Sequence, residues 1–456
     1  MKLAFIHQPI GDAIDPGRHS GSLTIFLYEI ARRLAASSEV IIYTRRLPSQ
    51  LEIEQVDGIQ YRRLVPFYDD RLLRRVNWFA DFRSRNRPMF ASHWFHHGYI
   101  RRIAKDLPGQ HCDFAFVQTL PQYPAVIRDF NPELRIGLNM QCEWLNQLDR
   151  SMISRHLQAV DLVLGCSKYI TEKVQAAFPE YSGRCRTVLN GCDIDRFSGR
   201  SGNEFGARRL LFVARVSPEK GVHVLLNAFC RLAEHYPELQ LDIVGPVAVP
   251  DRTFVLDVSD DPKVRALSRY YSTDYLAALK GALPANLAER VNFRGAISHQ
   301  QLASCYAGAY AFVFPAVWDE PFGLPVIEAM ASGLPVIASG TGGIPELVVH
   351  GKTGFLCPPN DAPALASAIG HLLDNPDIRQ RMSESSRQRA MSLFSWERVV
   401  DDLLGYLHEF APHATHVSAP VCGPSRCNRF VAHSIGFQAR LHGLSFRRPR
   451  RRHASA

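Results

Sequence analysis

No two of the ten cysteines stand at CxxC spacing, which argues against a zinc ribbon or a thioredoxin-type redox pair. They are scattered, and Cys166 and Cys230 sit inside apolar runs. That pattern predicts buried, reduced thiols in a cytosolic protein rather than a disulfide framework. Long apolar runs are missing as well. The longest uncharged stretch, 295–318, is interrupted by His299, Gln300, Gln301 and Pro315 and would make a poor membrane span. The opening MKLAFIHQPIGDAIDP turns polar too early for a signal peptide. These absences predict a cytoplasmic protein without transmembrane helices. No GxGxxG follows the first apolar run at Leu3, and no acid stands at the ribose-binding distance beyond it. A nicotinamide dehydrogenase is disfavoured on that ground.

What is present is the composition of a folded protein, 46% hydrophobic and 21% charged. A chain of 456 residues exceeds one ordinary core and implies two or three domains. Short apolar runs alternate with amphipathic stretches, the pattern of parallel sheets covered by helices on both faces. Strands are expected at 3–7, 40–43, 114–118, 135–140, 162–166 and 186–189, and a helix at 23–35. Leu23, Phe26, Leu27, Ile30 and Leu34 give that helix its spacing. After the Asn190-Gly191 turn signal, Ser198, Gly199, Ser201, Gly202, Asn203 and Gly206 mark 191–206 as a linker. The alternation then restarts, with strands at 210–214, 239–244, 291–294, 311–314 and 336–339 and a helix at 222–235. Two α/β units in tandem, 1–190 and 207–390, predict two facing Rossmann-like domains with a central cleft. Residues 250–288 exceed what a strand–helix–strand connection needs and predict extra helices beside that cleft. An amphipathic helix, FSWERVVDDLLGYLHEF, lies within 391–410 and is expected to complete the N-terminal domain.

The formal net charge of +9 is unevenly placed. Arg447 to Ala456 hold five arginines and no acid, and 412–456 reads as a basic, poorly ordered tail. No nucleic-acid recognition motif accompanies it. The stretch from Tyr61 to Lys105 interleaves Arg71, Arg74, Arg75, Arg101 and Arg102 with Trp78, Phe79, Trp94 and Phe95. It has two readings: a surface for anionic lipid or a lipid-linked acceptor, or a solvated face over core aromatics.

The chemistry concentrates where strands end and helices begin. In FPAVWDEPFGLPVIEAMASG, a strand ends at Pro315 and a loop carries Glu320 to Leu324. A helix is expected from near Pro325, a residue suited to a first helical turn. Its free N–H groups and dipole suit a diphosphate, and Gly323 lets the backbone approach. Glu320 in the loop and Glu328 in the first turn would then meet hydroxyls of a sugar or ribose. In ARVSPEKG, Arg215 and Lys220 put two cations at the C-terminal end of a buried strand, where a phosphate pair fits. Gly342 and Gly343, in SGTGGIPELVVHGKTGFLCPP, give backbone access to a ligand, and Ser20-Gly21-Ser22 offers a similar loop in the first unit. Each motif alone has a bland reading: a first-turn acid complementing a dipole, a solvated charged turn, or a plain strand-to-helix turn.

Together they resemble the retaining GT-B glycosyltransferases of family four, the "glycosyl transferases group 1" family. The marks are Glu320 and Glu328 as an E-x7-E pair, Arg215 and Lys220 in ARVSPEKG, GGIPELV, HGKTGFL, and NGCDIDRF at the linker. The resemblance covers roughly 1–410 and is strongest over 186–395. It implies that Arg215 and Lys220 neutralise the donor diphosphate, and that Phe322, Gly323 and Leu324 offer backbone amides. Glu320 would hold the donor sugar and Glu328 the ribose. Gly21 would approach the phosphate from the other domain, with the base near Arg294 and Gly295. The implied donor is a UDP- or GDP-sugar, the implied acceptor a glycan or lipid-linked molecule, and the place the cytoplasm or the inner face of its membrane.

The implied reaction retains anomeric configuration and needs no metal or other cofactor. No DxD motif stands near the donor loops, Asp69-Asp70 and Asp260-Asp261 being in unsuitable contexts. Many relatives carry a histidine after the strand at 135–140, aimed at the donor sugar. Here LNMQCEW places Gln141 there, with Glu143 nearby and His93, His96 and His97 upstream. Gln141 can hydrogen-bond a hydroxyl but cannot carry a proton. That departure leaves two alternatives beside the transferase: a weak or inactive glycan- or membrane-binding relative, and a sugar-nucleotide epimerase, against which EPFGLPVIE speaks.

Overall fold

The structure is a computed structural model, and it describes residues 1–16, 21–66, 86–198 and 208–410. The first sheet is built from Lys2–Ile6 (β1), Glu39–Arg45 (β2), Ile53–Val56 (β3) and Ile59–Leu64 (β4). Phe114–Gln118 (β5), Arg135–Met140 (β6), Leu162–Gly165 (β7) and Cys185–Thr187 (β8) complete it. Its order is β3-β4-β2-β1-β5-β6-β7-β8. The central runs, such as FAFVQ in β5, are buried at every position, as parallel strands covered on both faces must be.

The second sheet contains Arg209–Val213 (β9), Gln240–Val244 (β10), Val291–Gly295 (β11), Ala311–Phe314 (β12), Val336–Ser339 (β13) and Gly354–Cys357 (β14). Its order is β11-β10-β9-β12-β13-β14, with parallel pairing throughout. This is the doubly wound order, and the chain reverses direction across the sheet between β9 and β12. Ligands of such sheets bind beyond the carboxyl ends of the strands at that reversal.

Seven helices frame the site: Ser22–Leu34 (α1), Lys168–Ala177 (α2), Val222–Ala233 (α3), His299–Ala307 (α4), Leu324–Ala331 (α5), Ile344–Leu347 (α6) and Trp396–Phe410 (α7). The last of them packs back on the first sheet. Trp396 meets Phe26 of α1 at 6.1 Å between ring centroids. Val399, Leu403 and Leu407 share a core with Leu3 and Phe5. Side chains of this size contribute roughly 1.5–3 kcal/mol each on burial, so α7 is held by packing and by the Arg33–Glu397 ion pair at 2.8 Å.

Several local expectations change. The strands β3 and β4 form an antiparallel hairpin that the sequence reading passed over. Its signal was Asp57-Gly58, whose φ values of 52° and 77° suit a two-residue turn requiring positive φ at both positions. Residues 250–288 contain only short helices, Pro262–Arg265 and Tyr275–Gly281, with 3-10 turns. Cys166 is buried, but Cys230 is only partly so. Among the described residues no helix is long and apolar enough to cross a membrane. Ser20, residues 67–85 of the basic aromatic stretch, 199–207 of the linker and the tail 412–456 lie outside the described residues.

Candidate active site

Two loops meet at the reversal point of the second sheet. The loop after β9 carries Arg215 and Lys220, and the loop after β12 carries Trp318, Asp319 and Glu320. Gly221, with φ 75°, starts α3 so close to the other loop that a Cβ there would lie 1.9 Å from the Pro315 carbonyl oxygen. The Val317 N–H donates to the Glu219 carbonyl at 2.9 Å. This contact brings the Lys220 ammonium to Glu320 Oε2 at 2.6 Å, with both side chains about nine-tenths buried. The Trp318 indole N–H donates to the same carboxylate oxygen at 2.8 Å, and Lys220 Nζ stands 4.9 Å from the Trp318 ring centre. Arg215 is half exposed and pairs with Glu219 at 3.1 Å. Glu219 is in turn fixed by the Ser217 hydroxyl at 2.6 Å.

The loop between β13 and α6 braces Glu320 from beneath. Gly342 has φ 58°, and a Cβ on it would fall 2.2 Å from the Glu320 carbonyl oxygen. The Gly343 N–H donates to that carbonyl at 2.8 Å. Here both glycines serve the close packing of two backbones. Gly323, φ 100°, opens α5. Its neighbours Phe322 and Leu324 bury their side chains, Phe322 edge-on to Phe394 at 6.3 Å, which leaves their backbone to serve the loop. Glu320, Lys220, half-exposed Arg215 and the head of α5 thus all stand on the two loops at the reversal point, a set of groups suited to a diphosphate and a polyol.

Glu328 is displaced from its expected place. The helix begins at Leu324, so Glu328 is its fifth residue and stands in the second turn. Dipole complementation, which falls off beyond the first turn, does not account for it. Its oxygens accept from His299 Nε2 at 2.8 Å and from the Tyr306 hydroxyl at 2.9 Å. Arg196 NH1 lies 2.8 Å from His299 Nδ1. A guanidinium only donates, so Nδ1 accepts and Nε2–H donates to Glu328. Burial is the largest single influence on His299 and lowers its pKa, but the hydrogen bond and charge of Glu328 together raise it above the usual value.

The first sheet's strand ends form the opposite wall. Ser167 Oγ donates to the Pro321 carbonyl at 2.7 Å, and the Tyr169 hydroxyl donates to Asp319 Oδ2 at 2.7 Å. Glu346 of α6 accepts the Lys168 and Tyr169 N–H groups at 2.8 and 2.7 Å. It thereby satisfies free donors at the N-terminus of α2. Gln141, expected to face the donor sugar, is engaged in a reciprocal amide pair. Its Oε1 accepts from Asn190 at 2.8 Å and its Nε2 donates to Asn190 Oδ1 at 3.1 Å. Glu143 accepts from Gln147 at 3.2 Å, and burial raises its pKa. His96 is buried with a left-handed backbone at the start of the helix His97–Asp106, and His97 Nδ1 meets the His93 carbonyl; none of the three joins this cluster through these contacts.

The remaining candidates are placed as follows. Gly21 caps α1 with extended backbone, beside Asp12 and Thr24. Arg294 NH1 pairs with Asp242 Oδ2 at 3.2 Å, so its guanidinium is drawn across to the neighbouring strand β10. Gly295, φ 66°, is exposed and has open space around its Cα. Asp260 and Asp261 line a cavity shared with Trp318, Asp319 and Pro321. Among the described residues no group of three His, Cys, Asp or Glu side chains could hold a metal ion.

Sequence reasoning missed Ser167, Tyr169, Asn190, His299, Tyr306 and Glu346. Of these, Glu346 and Asn190 sat inside motifs that were singled out, GGIPELV and NGCDIDRF.

Residues 193–389 match the family model described as glycosyl transferases group 1. Spore coat protein SA of Bacillus subtilis is 24% identical over 406 residues, covering 85% of this chain and 95% of that protein. D-inositol 3-phosphate glycosyltransferase of Streptomyces scabiei is 28% identical over 421 residues, 86% of each chain. The solved structure of Anabaena HepE in complex with UDP-glucose superposes with a TM-score of 0.61 at 17% identity, covering 90% of this chain and all of that one. With the two doubly wound sheets and this superposition in agreement, the chain has the GT-B fold, and its residues 193–389 are those that match the glycosyl transferases group 1 model.

Proposed function

We propose that the protein is a retaining, metal-independent hexosyltransferase that moves a sugar from a nucleotide diphosphate donor to a glycan or lipid-linked acceptor in polysaccharide or glycolipid assembly. The observation that carries this reading is the buried Lys220–Glu320 pair at 2.6 Å, set at the sheet's reversal point beside Arg215 and the head of α5. Lys220 and Arg215 stabilise the charge that grows on the departing diphosphate, the task a metal ion performs elsewhere. Glu320 accepts from donor-sugar hydroxyls and Glu328 from the ribose. The bond between the anomeric carbon and the phosphate oxygen breaks. The acceptor oxygen bonds the same carbon on the same face, and its proton passes to the departing phosphate oxygen. The complex of HepE with UDP-glucose supports a UDP-sugar donor, GDP-sugars being the other candidates. A cytoplasmic location against an anionic membrane rests on the basic stretch at 61–105.

The Gln141–Asn190 amide pair favours one second reading, a relative that binds a donor but transfers slowly. Both are separated by one experiment. A panel of UDP-, GDP- and ADP-sugars is screened by thermal shift, and any stabilising donor is then followed by proton NMR of the anomeric signal. At a donor concentration of about 100 times Kd, stabilisation of about 2.7 kcal/mol is expected, with an axial donor linkage giving an axial product. Stabilisation without any turnover supports the slow relative, an inverted product refutes retention, and no stabilisation by any member refutes the donor site.

A further inference from the structure

We propose that the acceptor in this cleft presents an uncharged sugar, stacked on Trp144 and Phe254 and hydrogen-bonded by Glu143, and that phosphorylated sugars are turned away. The inference rests on the glycosyltransferase reading and specifies its second substrate.

The cavity beside the donor loop has an empty volume of about 880 Å³, including space open to solvent. One wall comes from the segment after β6 and the other from residues 254–264 and 318–321. Whatever occupies it therefore touches both α/β units and lies against the loop that carries Glu320. Two features of its lining decide the chemistry. The first is aromatic. Trp144 and Phe254 stack at 5.8 Å and 27°, and Phe90 supports both from behind at 4.5 and 4.8 Å. Trp318 completes the aromatic surface towards Lys220. Trp144, Phe254 and Trp318 thus give the cavity an aromatic lining, the kind of surface that meets the C–H groups of a pyranose while its hydroxyls turn to polar neighbours.

The second feature is charge. Glu143, Asp260, Asp261 and Asp319 line the space, against a single cation, Lys173. Two of these acids are already fixed as acceptors: Asp319 by Tyr169 and Thr341, and Asp261 by the N–H of Lys263. Asp260 pairs with Arg265 at 2.8 Å on the rim. Carboxylates accept from sugar hydroxyls, but a dianionic phosphate placed among them meets like charge in a partly desolvated space. A phosphorylated acceptor needs the opposite lining, a guanidinium fork or several ammonium groups. The donor side of the same cleft balances Glu219 and Glu320 with Arg215 and Lys220, whereas on the acceptor side four carboxylates outnumber Lys173 and Arg265, so the two substrates are sorted by charge.

The test uses the full-length protein and the nucleotide sugar that stabilises it best. Glucose, maltose and cellobiose are compared with glucose 6-phosphate and glucose 1-phosphate as acceptors, and binding is followed in parallel by quenching of tryptophan fluorescence. The neutral sugars are expected to exceed the phosphorylated ones by at least about tenfold in kcat/KM, a difference in transition-state binding. Trp144→Ala should raise the acceptor KM about tenfold more than the donor KM, the signature of lost acceptor binding. Because Trp144 also packs on Phe90, the rim variant Asp260→Lys provides a second measure. It should raise the relative use of phosphorylated sugars by about tenfold through charge complementarity. Preference for a phosphorylated acceptor, indifference to Asp260→Lys, or donor turnover with neither transfer to nor quenching by any neutral sugar overturns the inference and leaves the transferase reading standing. Failure of every nucleotide sugar to bind or be hydrolysed overturns that reading and the inference with it.

Discussion

Lys220→Ala is expected to lower kcat by about two to three orders of magnitude, the usual cost of removing one preorganised group that meets charge in the transition state. The structure adds a consequence that the sequence did not contain. Lys220 is ion-paired to Glu320 at 2.6 Å inside the loop contact, so its removal leaves a largely buried carboxylate without its cation, still held by the Trp318 indole. Breaking such a pair from one side costs about 3 kcal/mol, and the melting temperature should fall together with the rate. The double variant Lys220→Met with Glu320→Gln separates the effects. It removes both charges and should recover most of the melting temperature while activity stays lost. Initial rates and thermal melts on the three proteins decide the matter. Near-normal turnover in Lys220→Ala would mean that the diphosphate charge is met elsewhere.

Gly221→Ala should be as damaging without touching any functional group. The residue has φ 75°, and its Cβ would stand 1.9 Å from the Pro315 carbonyl oxygen. Neither the backbone of the β12 loop nor that of the β9 loop can move without the other. Left-handed backbone for an alanine and overpacking together cost about 3 kcal/mol. The strain would act along the line that sets Lys220 against Glu320. Denaturant melts should show the loss of stability, and donor affinity should fall as well. Gly109→Ala, in open space, is the control. A Gly221→Ala protein with unchanged stability and donor affinity would show that the close approach of the two loops is not needed.

The loops at the reversal point were legible because their signals are local. Arg215, Lys220, Glu320 and Gly323 stand at fixed short distances from apolar strand runs, and strand ends at a reversal point are where doubly wound folds bind ligands. The strand runs themselves were legible because burial on both faces removes polar residues from them. Contacts between distant segments were not. Glu346 serves α2 across 177 and 178 positions of sequence, and Ser167 meets Pro321 across 154. Such pairs depend on how the two units face each other, about which local pattern is silent. Glu328 shows an intermediate case. Its presence was read, but a helix starting one residue earlier than expected moved it into the second turn and changed what holds it, from a dipole to His299 and Tyr306. Gln141 was read as a weakened catalytic group. Its pairing with Asn190, 49 positions on, gives it a fixed orientation that a single motif could not show.

The departure at Gln141 and the acid-lined cavity bear on the same question, how the reacting hydroxyl is held. Under the proposed mechanism, in which the donor's own phosphate takes the proton, the opposite wall needs only to orient an acceptor, a task that aromatic rings and fixed carboxylates suit.

Whether the loops at the reversal point hold the donor diphosphate is most directly tested by a crystal structure of the protein soaked with the nucleotide sugar that stabilises it. The expected result places phosphate oxygens within about 3 Å of Lys220 Nζ, the Arg215 guanidinium and the N–H groups at the head of α5, with ribose hydroxyls at Glu328. A nucleotide bound at the reversal point of the first sheet, between the ends of β1 and β5, with Lys220 and Glu320 untouched, would contradict it.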